Sequence, residues 1–435
     1  MITITSLGAS GEGVGSLDGL KVFVDGALPG EVVKIELTTQ KKTYAKAKLL
    51  EVIEPSPHRV TPPCPHYEPC GGCQLMHLSY PEQLNMKRQR VVDALQRIGH
   101  LNVEVLRCLP SPDDFHYRNK VQCPYQQHTL GFFSRGTHTV TPIESCLIHC
   151  EQGEEIYQLV KNALAHTPLD TLRFVLIRSA LATQESLLIF VLNKPDPRLK
   201  QLITKIQHPN LVGIVQNINP KKDNTVLGKG FKTLSGRDFL TETIGDLTFH
   251  ISPESFFQVN PRQAENLYTQ AIASANLSPS DTVLDAYCGV GTLSLLLAKH
   301  CKHVTGIECV SQATEKAKQN AFLNTISNCT FLTGQVETTL PKLPPFDTIF
   351  LNPPRKGCDP AVLTTLAKKP PKTLIYISCN PATLARDLAL LKEHGLSSLH
   401  IQPIDMFPQT AHVECIAKIE CEEKFQKEPL SKDNR

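Results

Sequence analysis

Hydrophobic and polar positions follow three successive patterns along the 435 residues of the chain. Up to about residue 56, short apolar runs such as 20–24 and 32–37 are separated by glycines, which predicts short strands, tight turns and hence a small barrel. Between 103 and 250, further strand-like runs predict a second, β-rich subdomain. From residue 252 onward, strand-like runs alternate with segments of helical spacing. This last pattern predicts an α/β fold with a doubly wound sheet that a C-terminal hairpin completes.

One stretch near the C-terminus has the pattern of a reactive site. Four apolar residues at 374–377 are followed by Cys379, Asn380 and Pro381, after which apolar residues return at helical spacing. Pro381 suits the first position of a helix and Asn380 suits its cap. Cys379 is therefore predicted at the carboxyl end of a strand, where open α/β sheets bind ligands and where a helix N-terminus favours a thiolate. A buried, unreactive thiol is the commoner role of a cysteine, but this position indicates a reactive one.

Composition and charge narrow the class of protein. Hydrophobic residues make up 41% and charged residues 20% of the chain, which is typical of a globular protein, and the length predicts two or three domains. No apolar run approaches the ~20 residues of a membrane helix, and the N-terminus lacks a secretory signal. We therefore expect a cytoplasmic protein without a membrane partner, whose 15 cysteines serve metals or catalysis rather than disulfides. The net charge of +3 permits a nucleic-acid partner without arguing for one.

Basic residues concentrate in two segments, and the first of them is a candidate for contact with RNA. A cluster in the N-terminal unit combines four ammonium groups with one aromatic ring, which suits phosphates and bases, although a solvated lysine face is equally consistent with composition alone. This cluster contains Lys41, Lys42, Tyr44, Lys46 and Lys48. A helix predicted over 80–99 adds a basic face with Lys87, Arg88, Arg90 and Arg97.

Three cysteines follow a proline-rich joint and form a possible metal motif. Cys64, Cys70 and Cys73 lie on glycine- and proline-rich backbone, so they can point at one centre that takes a fourth ligand from elsewhere. A compact trio with one remote cysteine is commoner for an iron–sulfur cluster than for zinc, but spacing alone does not choose between the two. A third interpretation is that these thiols bind no metal. The fourth ligand could be Cys146 or Cys150, and the spacing of the cysteines does not choose between them either.

The start of the α/β region has the features of a nucleotide pocket. A strand leads into a G-x-G loop at 289–291 and then a helix, with Glu308 about twenty residues on, which predicts a ribose-bearing cofactor. Ser294 stands where a dinucleotide fingerprint requires its third glycine, which argues against NAD. The Asn-Pro-Pro tripeptide at 352–354 predicts a rigid loop beside the cofactor. Together these features favour a methyltransferase.

Four motifs, in this order, resemble those of the S-adenosylmethionine-dependent RNA uracil-C5 methyltransferases: DAYCGVGTLSL, FLNPPRKG, SCNPATLARDL and DMFPQTAHVE. The N-terminal segment resembles a TRAM domain, a small RNA-binding barrel. With the cysteine motif, the resemblance covers nearly the whole chain and is greatest for the iron–sulfur branch that acts on large-subunit ribosomal RNA. It implies an OB-like TRAM barrel at 1–56, a central β-rich subdomain with the cysteines at 57–251, a class I (Rossmann-like) methyltransferase domain at 252–421, and a tail at 422–435.

The resemblance also implies a role for individual residues. It assigns the nucleophile to Cys379 and the base to Glu414. It assigns S-adenosylmethionine contacts to Gln258, Tyr287, Glu308 and Asn352, where many relatives have Asp in place of Asn352. It assigns a [4Fe-4S] cluster to Cys64, Cys70, Cys73 and Cys146, because an apolar pair follows Cys146 as it follows the fourth ligand of that branch.

The implied reaction needs a nucleophile and a base, because C5 of uracil is too weak a nucleophile to take a methyl group unaided. A thiolate that adds to C6 makes C5 reactive, and a base then removes the C5 proton so that the cysteine can leave. The target uridine must leave any base stack. We expect a monomer that acts on ribosomal RNA. The rival hypotheses are methylation of transfer-RNA uridine, an amino-directed methyltransferase, and a non-catalytic RNA-binding protein with a vestigial fold.

Overall fold

The computed structural model describes residues 1–421, and the predicted tail at 422–435 lies outside them. The described chain forms two compact units, both discontinuous in sequence. Unit 1 contains Met1–Lys87, Ser111–Leu240 and Phe407–His412, and unit 2 contains Arg88–Pro110, Thr241–Met406 and the chain from Val413 onward. The linear domain boundaries drawn from the sequence stay predictions. No helix among residues 1–421 is long and apolar enough to cross a membrane.

The first 54 residues form a closed barrel in unit 1. Its strands are β1 (Ile2–Leu7), β2 (Gly13–Leu17), β3 (Leu20–Val24), β4 (Val32–Gln40) and β5 (Tyr44–Glu54). They follow the order β1-β2-β3-β5-β4, and β4 closes the barrel by pairing with β1. Val22, Val24, Ala45 and Ala47 point into the core, because alternate residues of a strand face opposite sides. The predicted N-terminal barrel is confirmed.

A long helix and a short strand follow the barrel. The helix α1 (Tyr80–Arg97) begins in unit 1 and ends in unit 2, to which the strand β6 (Glu104–Val105) also belongs. The expectation that Lys87 lies on an exposed basic face is wrong. Lys87 is fully buried, and its Nζ donates a hydrogen bond to the Phe407 carbonyl at 3.1 Å. A buried ammonium requires such an acceptor, and residue type alone does not reveal it.

The rest of unit 1 is a seven-stranded sheet with two helices. In chain order its elements are β7 (Lys120–Gln126), β8 (Thr129–Phe133), β9 (Val140–Pro142), α2 (Glu151–His166), β10 (Leu172–Ser179), β11 (Ser186–Leu192), α3 (Arg198–Ile203), β12 (Leu211–Ile218) and β13 (Gly230–Gly236). The strand order is β13-β12-β11-β10-β7-β8-β9, and only β11 and β12 are parallel. Ile156, Tyr157 and Val160 of α2 pack into the core of this sheet. The predicted β-rich central subdomain is confirmed.

The remaining elements build the α/β part of the chain. They are β14 (Leu240–Ile244), β15 (Leu247–Ile251), α4 (Pro261–Ala275), β16 (Thr282–Ala286), α5 (Thr292–Leu297), β17 (His303–Glu308), α6 (Ser311–Leu323), β18 (Cys329–Thr333), α7 (Val336–Thr339), a 3-10 helix at Leu340–Lys342, β19 (Thr348–Leu351), α8 (Pro360–Lys368), β20 (Thr373–Ser378), α9 (Pro381–Glu393), β21 (Leu396–Ile404) and β22 (Glu414–Cys421).

Eight strands of unit 2 form one sheet, in the order β18-β17-β16-β19-β20-β22-β21-β6. The strands from β18 to β20 are parallel, with helices in their crossovers, and β22 is antiparallel to both β20 and β21. The order of the parallel strands reverses between β16 and β19, and ligands of open α/β sheets bind beside the carboxyl ends at such a point. The predicted doubly wound sheet with a terminal hairpin is confirmed.

Candidate active site and cysteine centre

Cys379 lies between a buried strand and a helix. Every residue of β20 is buried, and the strand ends at Ser378. Asn380 caps α9 by accepting a hydrogen bond from the Ala382 N–H at 3.1 Å, and Pro381 takes the first helical position. The thiol is therefore held at the carboxyl edge of the sheet, beside a helix N-terminus whose partial positive charge favours a thiolate.

The register of β20 and β22 places Glu414 opposite Cys379. The last antiparallel pair is Ser378 with Cys415, and Cys379 and Glu414 occupy the next position along the two strands. Only 5% of Glu414 is exposed, and this burial raises the pKa of its carboxyl to about 8. Burial and then the Glu414 charge raise the pKa of the Cys379 thiol as well. The two groups therefore disfavour each other's ionisation.

Arg355 supplies positive charge to both groups. Against the effect of burial, its guanidinium lowers the pKa of Glu414 and of Cys379, and it forms a hydrogen bond with the Cys379 thiol. The Arg355 carbonyl accepts hydrogen bonds from Asn380 Nδ2 at 3.1 Å and from Thr383 Oγ1 at 3.4 Å. The sequence motifs gave Arg355 no role. Its place directly after the Asn-Pro-Pro tripeptide is the signal that points to it.

The glycine loop between β16 and α5 meets Glu308 at the carboxyl edge of the sheet. The N–H of Gly289 donates to one Glu308 oxygen at 3.1 Å, and the N–H of Val310 donates to the other at 2.9 Å. Gly289 has a φ of +56°, and a Cβ there would meet no atom within 4 Å, so open space lies above the loop. Tyr287 has a φ of +67°, a strained conformation that is concentrated at ligand sites. This arrangement fits a ribose-bearing cofactor.

Ser294 occupies the position of the third glycine in a dinucleotide fingerprint, and in the structure it forms a hydrogen bond with a buried carboxyl. Its hydroxyl donates a hydrogen bond to Asp285 at 2.5 Å. Asp285 is almost fully buried on β16, and burial raises the pKa of its carboxyl to about 7. The hydroxyl therefore compensates a buried carboxyl at a position where a glycine would leave it without this donor.

The other predicted cofactor residues lie on loops at the ends of neighbouring elements. Asn352 follows β19, and its N–H donates to the last residue of β16 at 3.3 Å. Gln258 is buried before α4 and forms a hydrogen bond with the Tyr268 hydroxyl. Burial, and after it the charges of Asp285 and Glu414, raises the pKa of Tyr268. Tyr268 therefore lies within electrostatic range of both the glycine-loop strand and the predicted base.

In unit 1, the four predicted cluster cysteines interact with one another. Burial is the first cause of the raised pKa values of Cys73 and Cys146, and that of Cys146 reaches about 11. The charges of Cys146, Cys70 and Cys64 raise the pKa of Cys73 further. The Cys150 thiol forms a hydrogen bond with Ser179, and the cause that shifts its pKa most is burial. Cys146 and the trio therefore interact electrostatically, and the choice of Cys146 over Cys150 as a fourth ligand stays a prediction.

Main-chain N–H groups lie near two of these cysteines. The N–H of Gly72 donates to Cys70 Sγ at 3.4 Å. The N–H of His149 donates to the Cys146 carbonyl at 3.1 Å, and the N–H groups of Ile148 and His149 lower the pKa of the Cys146 thiol against the effect of burial. Hydrogen bonds to sulfur are a regular feature of iron–sulfur sites. No group of three or more His, Cys, Asp or Glu side chains among residues 1–421 is close enough to hold a single metal ion. Each cysteine of a [4Fe-4S] cluster binds a different iron rather than one shared ion, and four thiolates are the donor type that such a cluster takes.

Models of known protein families match several stretches of the chain. Models of three families match it: the TRAM domain over residues 1–50, the methyltransferase small domain over residues 246–374, and tRNA (uracil-5-)-methyltransferase over residues 341–420. The predicted TRAM barrel and methyltransferase domain are thereby confirmed.

Relatives and a solved structure match almost the whole chain. The chain is 41% identical to an uncharacterized RNA methyltransferase of Clostridium tetani, over 95% of this chain and 94% of the relative. It is 41% identical to another from Listeria monocytogenes, over 95% and 96%. The crystal structure of Pyrococcus abyssi tRNA (uracil-54, C5)-methyltransferase in complex with S-adenosyl-L-homocysteine is 29% identical, with a TM-score of 0.78 over 96% of this chain and 100% of that one. The chain therefore belongs to the S-adenosylmethionine-dependent RNA uracil-5-methyltransferases, in a form that carries an N-terminal TRAM domain.

Proposed function

We propose that this enzyme methylates a uridine of RNA at C5 through a covalent bond between Cys379 and C6 of the base. The observation that carries this proposal is the position of Cys379 opposite Glu414, with the Arg355 guanidinium acting on both. Covalent activation of a pyrimidine needs a nucleophile and a base, which Cys379 and Glu414 supply, and a neighbouring cation such as Arg355 favours the thiolate.

The first step is attack by the Cys379 thiolate. The Sγ–C6 bond forms, and the C5–C6 electron pair moves to C5 and the C4 carbonyl oxygen as an enolate. Arg355 and the N-terminus of α9 favour the thiolate in the free enzyme against the effects of burial and of Glu414. S-adenosylmethionine, when bound, would supply a methyl group from its sulfonium. The C5 electron pair would form the bond to that methyl as the methyl–sulfur bond breaks, and the electrons of the broken bond would stay on sulfur.

The second step is proton removal by Glu414. Its carboxylate takes the C5 proton, the C5–H electrons re-form the C5–C6 double bond, and the C6–Sγ bond breaks to return the thiolate. Burial suits Glu414 to this task, because a carboxyl with a pKa near 8 holds the proton it receives more firmly than a solvated one.

Gln258, Tyr287, Glu308 and Asn352 are the residues that would hold S-adenosylmethionine. Glu308 would accept hydrogen bonds from ribose hydroxyls, since a carboxylate retains acceptor capacity beyond the two N–H groups that bond it. Asn352 offers an amide oxygen where many relatives have a carboxylate. The space above Gly289 leaves room for the cofactor at the loop.

We further propose that the substrate is large-subunit ribosomal RNA. The TRAM barrel and the cysteine motif, as features of the branch that the sequence resembles, support it. Transfer RNA is the second candidate, because the Pyrococcus abyssi protein is named for uracil-54 of tRNA. Phe256, 70% exposed two residues before Gln258, is suited to stack on a base that has left its helix. We expect the enzyme to act as a cytoplasmic monomer.

We also propose that Cys64, Cys70, Cys73 and Cys146 hold a [4Fe-4S] cluster. Their mutual electrostatic interaction and the N–H groups directed at Cys70 and Cys146 support this set. No step of methyl transfer is assigned to it.

Two measurements test the proposed function. Mapping 5-methyluridine in ribosomal and transfer RNA, from cells with and without the protein, identifies the substrate, and loss of the modification from transfer RNA alone would contradict the ribosomal proposal. With an in vitro transcript of the mapped site and S-adenosylmethionine, Glu414→Gln should accumulate a covalent protein–RNA adduct on a denaturing gel. Cys379→Ala should give neither adduct nor product, and a Cys379→Ala enzyme that still methylates uridine would refute the mechanism.

A further inference from the structure

A buried carboxylate, Asp387, lies two turns along the helix that follows Cys379. Its side chain is 0% exposed. One of its oxygens accepts hydrogen bonds from the Tyr376 hydroxyl at 2.6 Å and from the Cys358 N–H at 2.9 Å. The other accepts from Arg386 Nε at 2.8 Å and Nη2 at 2.7 Å. A fully buried carboxylate is costly unless such donors surround it, and a well-packed apolar residue is often as stable, so its presence calls for an explanation other than stability.

The partners of Asp387 tie together the elements around the nucleophile. Tyr376 is on β20, three residues before Cys379. Cys358 lies just after the turn that carries Arg355, and its thiol forms hydrogen bonds with Tyr376 and with Tyr287 of the glycine loop. One carboxylate therefore joins the strand before the nucleophile, the helix after it and the loop that bears the cation.

Arg386 strengthens the same link from its guanidinium. Its Nη2 donates to the carbonyls of Lys356 at 3.0 Å and of Cys358 at 3.5 Å. The segment it holds is a tight turn closed by the Gly357 N–H on the Pro354 carbonyl at 2.9 Å.

The turn also packs directly on this pair of side chains. Gly357 has a φ of +79°, and a Cβ there would lie 2.6 Å from Arg386 Nη2 and 2.7 Å from Asp387 Oδ2. Both the conformation and the close approach require glycine. The turn therefore has little freedom to move while Asp387 and Arg386 are in place.

We propose that Asp387 is a positioning residue, which together with Arg386 holds the 354–358 turn so that the Arg355 guanidinium reaches the Cys379 thiol. The inference rests on the proposed roles of Cys379 and Glu414. Asp387 bonds Tyr376, Cys358 and Arg386, so in this proposal it acts on Cys379 through these neighbours. Loosening the turn would withdraw the cation that favours the thiolate, so the loss should be greatest where the thiol is least ionised.

The test uses the rate of adduct formation, which reports attack by Cys379 and the methyl transfer that follows it, but not the later removal of the C5 proton. In full-length enzyme carrying Glu414→Gln, with S-adenosylmethionine and the mapped RNA transcript, the rate is measured from pH 6.5 to 9.5. Adding Asp387→Asn should slow adduct formation about tenfold or more at pH 7. The defect should become smaller toward pH 9.5, because at high pH the thiol ionises even when the cation is not beside it. Arg386→Gln, at a half-exposed side chain that folding tolerates better, should show the same pH-dependent defect. Lys392→Gln, an exposed change on the same helix, should have no effect.

The outcomes separate this inference from the proposed function. A purely structural role for Asp387 would lower the amount of active enzyme and reduce the rate by the same factor at every pH, and this result would overturn the proposal. Unchanged rates in both the Asp387 and Arg386 variants would overturn it too. If the Glu414→Gln reference enzyme forms no adduct at any pH, the proposed function fails first and this inference with it.

Discussion

Glu414 lies opposite Cys379 at the ends of two antiparallel strands, and it is 95% buried there with a pKa raised to about 8. A carboxyl in this state is mostly protonated at pH 7. The fold therefore contains, at its proposed active site, a group that ionises only with difficulty, and this group gives both activity and stability a dependence on pH.

Activity should rise with pH through the range around 8. The base must be deprotonated to take the C5 proton, and the thiol must be deprotonated to attack, so both ionisations act in the same direction and report as coupled values. Single-turnover rates between pH 6 and 10 measure this. An activity that falls as pH rises from 6 to 8 would contradict the assignment of Glu414.

Stability should show the opposite dependence. Between the unfolded value of 4.5 and the folded value of about 8, the folded state binds more protons at Glu414 than the unfolded state does, so this group lowers stability as pH rises. Glu414→Gln removes this penalty. The free energy of unfolding of the variant, relative to that of the wild type, should increase by on the order of 2–4 kcal/mol from pH 5 to pH 9. Urea unfolding of both proteins at pH 5 and at pH 9 measures this difference. Equal pH dependence in the two proteins would contradict the burial argument.

Arg355→Gln should reduce methylation by about a hundredfold, the usual effect of removing one preorganised electrostatic group from an active site. Since Arg355 acts on both Cys379 and Glu414, the variant should slow adduct formation as well as release of the product. Arg355→Lys should restore part of the activity, because it keeps the charge but not the guanidinium geometry. Rapid-quench measurements separate the two steps. A normal rate of adduct formation in Arg355→Gln would show that the cation does not assist the thiol.

Protein purified without oxygen should contain iron and sulfide and absorb visible light. Cys146→Ala should lose the iron, whereas Cys150→Ala should retain it, because the Cys150 thiol is engaged by Ser179 while the Cys146 thiol interacts with Cys70. Iron analysis of the two variants is a matched comparison, because the two cysteines are only four residues apart in the chain. Stoichiometric zinc without iron, or iron loss in Cys150→Ala alone, would contradict the proposed ligands.

The exposed lysines of the barrel should contribute to RNA affinity by neutralising phosphates. Lys46 and Lys48 point outward on β5, while Ala45 and Ala47 point into the barrel, and Lys41 lies 5.6 Å from the Tyr44 ring. Replacing Lys41, Lys46 and Lys48 by Gln should weaken binding and lower the salt slope of log K by about 0.7 for each phosphate that the variant no longer neutralises. S-adenosylmethionine affinity should be unchanged. Lys302→Gln, exposed on unit 2, is the control, and an unaltered salt slope in the triple variant would exclude this surface.

Local patterns in the sequence determined much of this protein. Alternating residues and glycines predicted the barrel, and the apolar run before Asn380 and Pro381 predicted the strand and helix around Cys379. These features are set by neighbours in the chain, since side-chain period, caps and turns act over a few residues. The motifs then indicated the family and the candidate site residues.

Only the tertiary structure decided how distant segments meet. β22 lies between β20 and β21, and the register of that pairing is what places Glu414 opposite Cys379. The action of Arg355 on both groups, the burial of Lys87 and the donors around Asp387 likewise depend on contacts between segments remote in sequence. Register, burial and pKa arise when chain segments pack and exclude water, so no local pattern of residue types contains them.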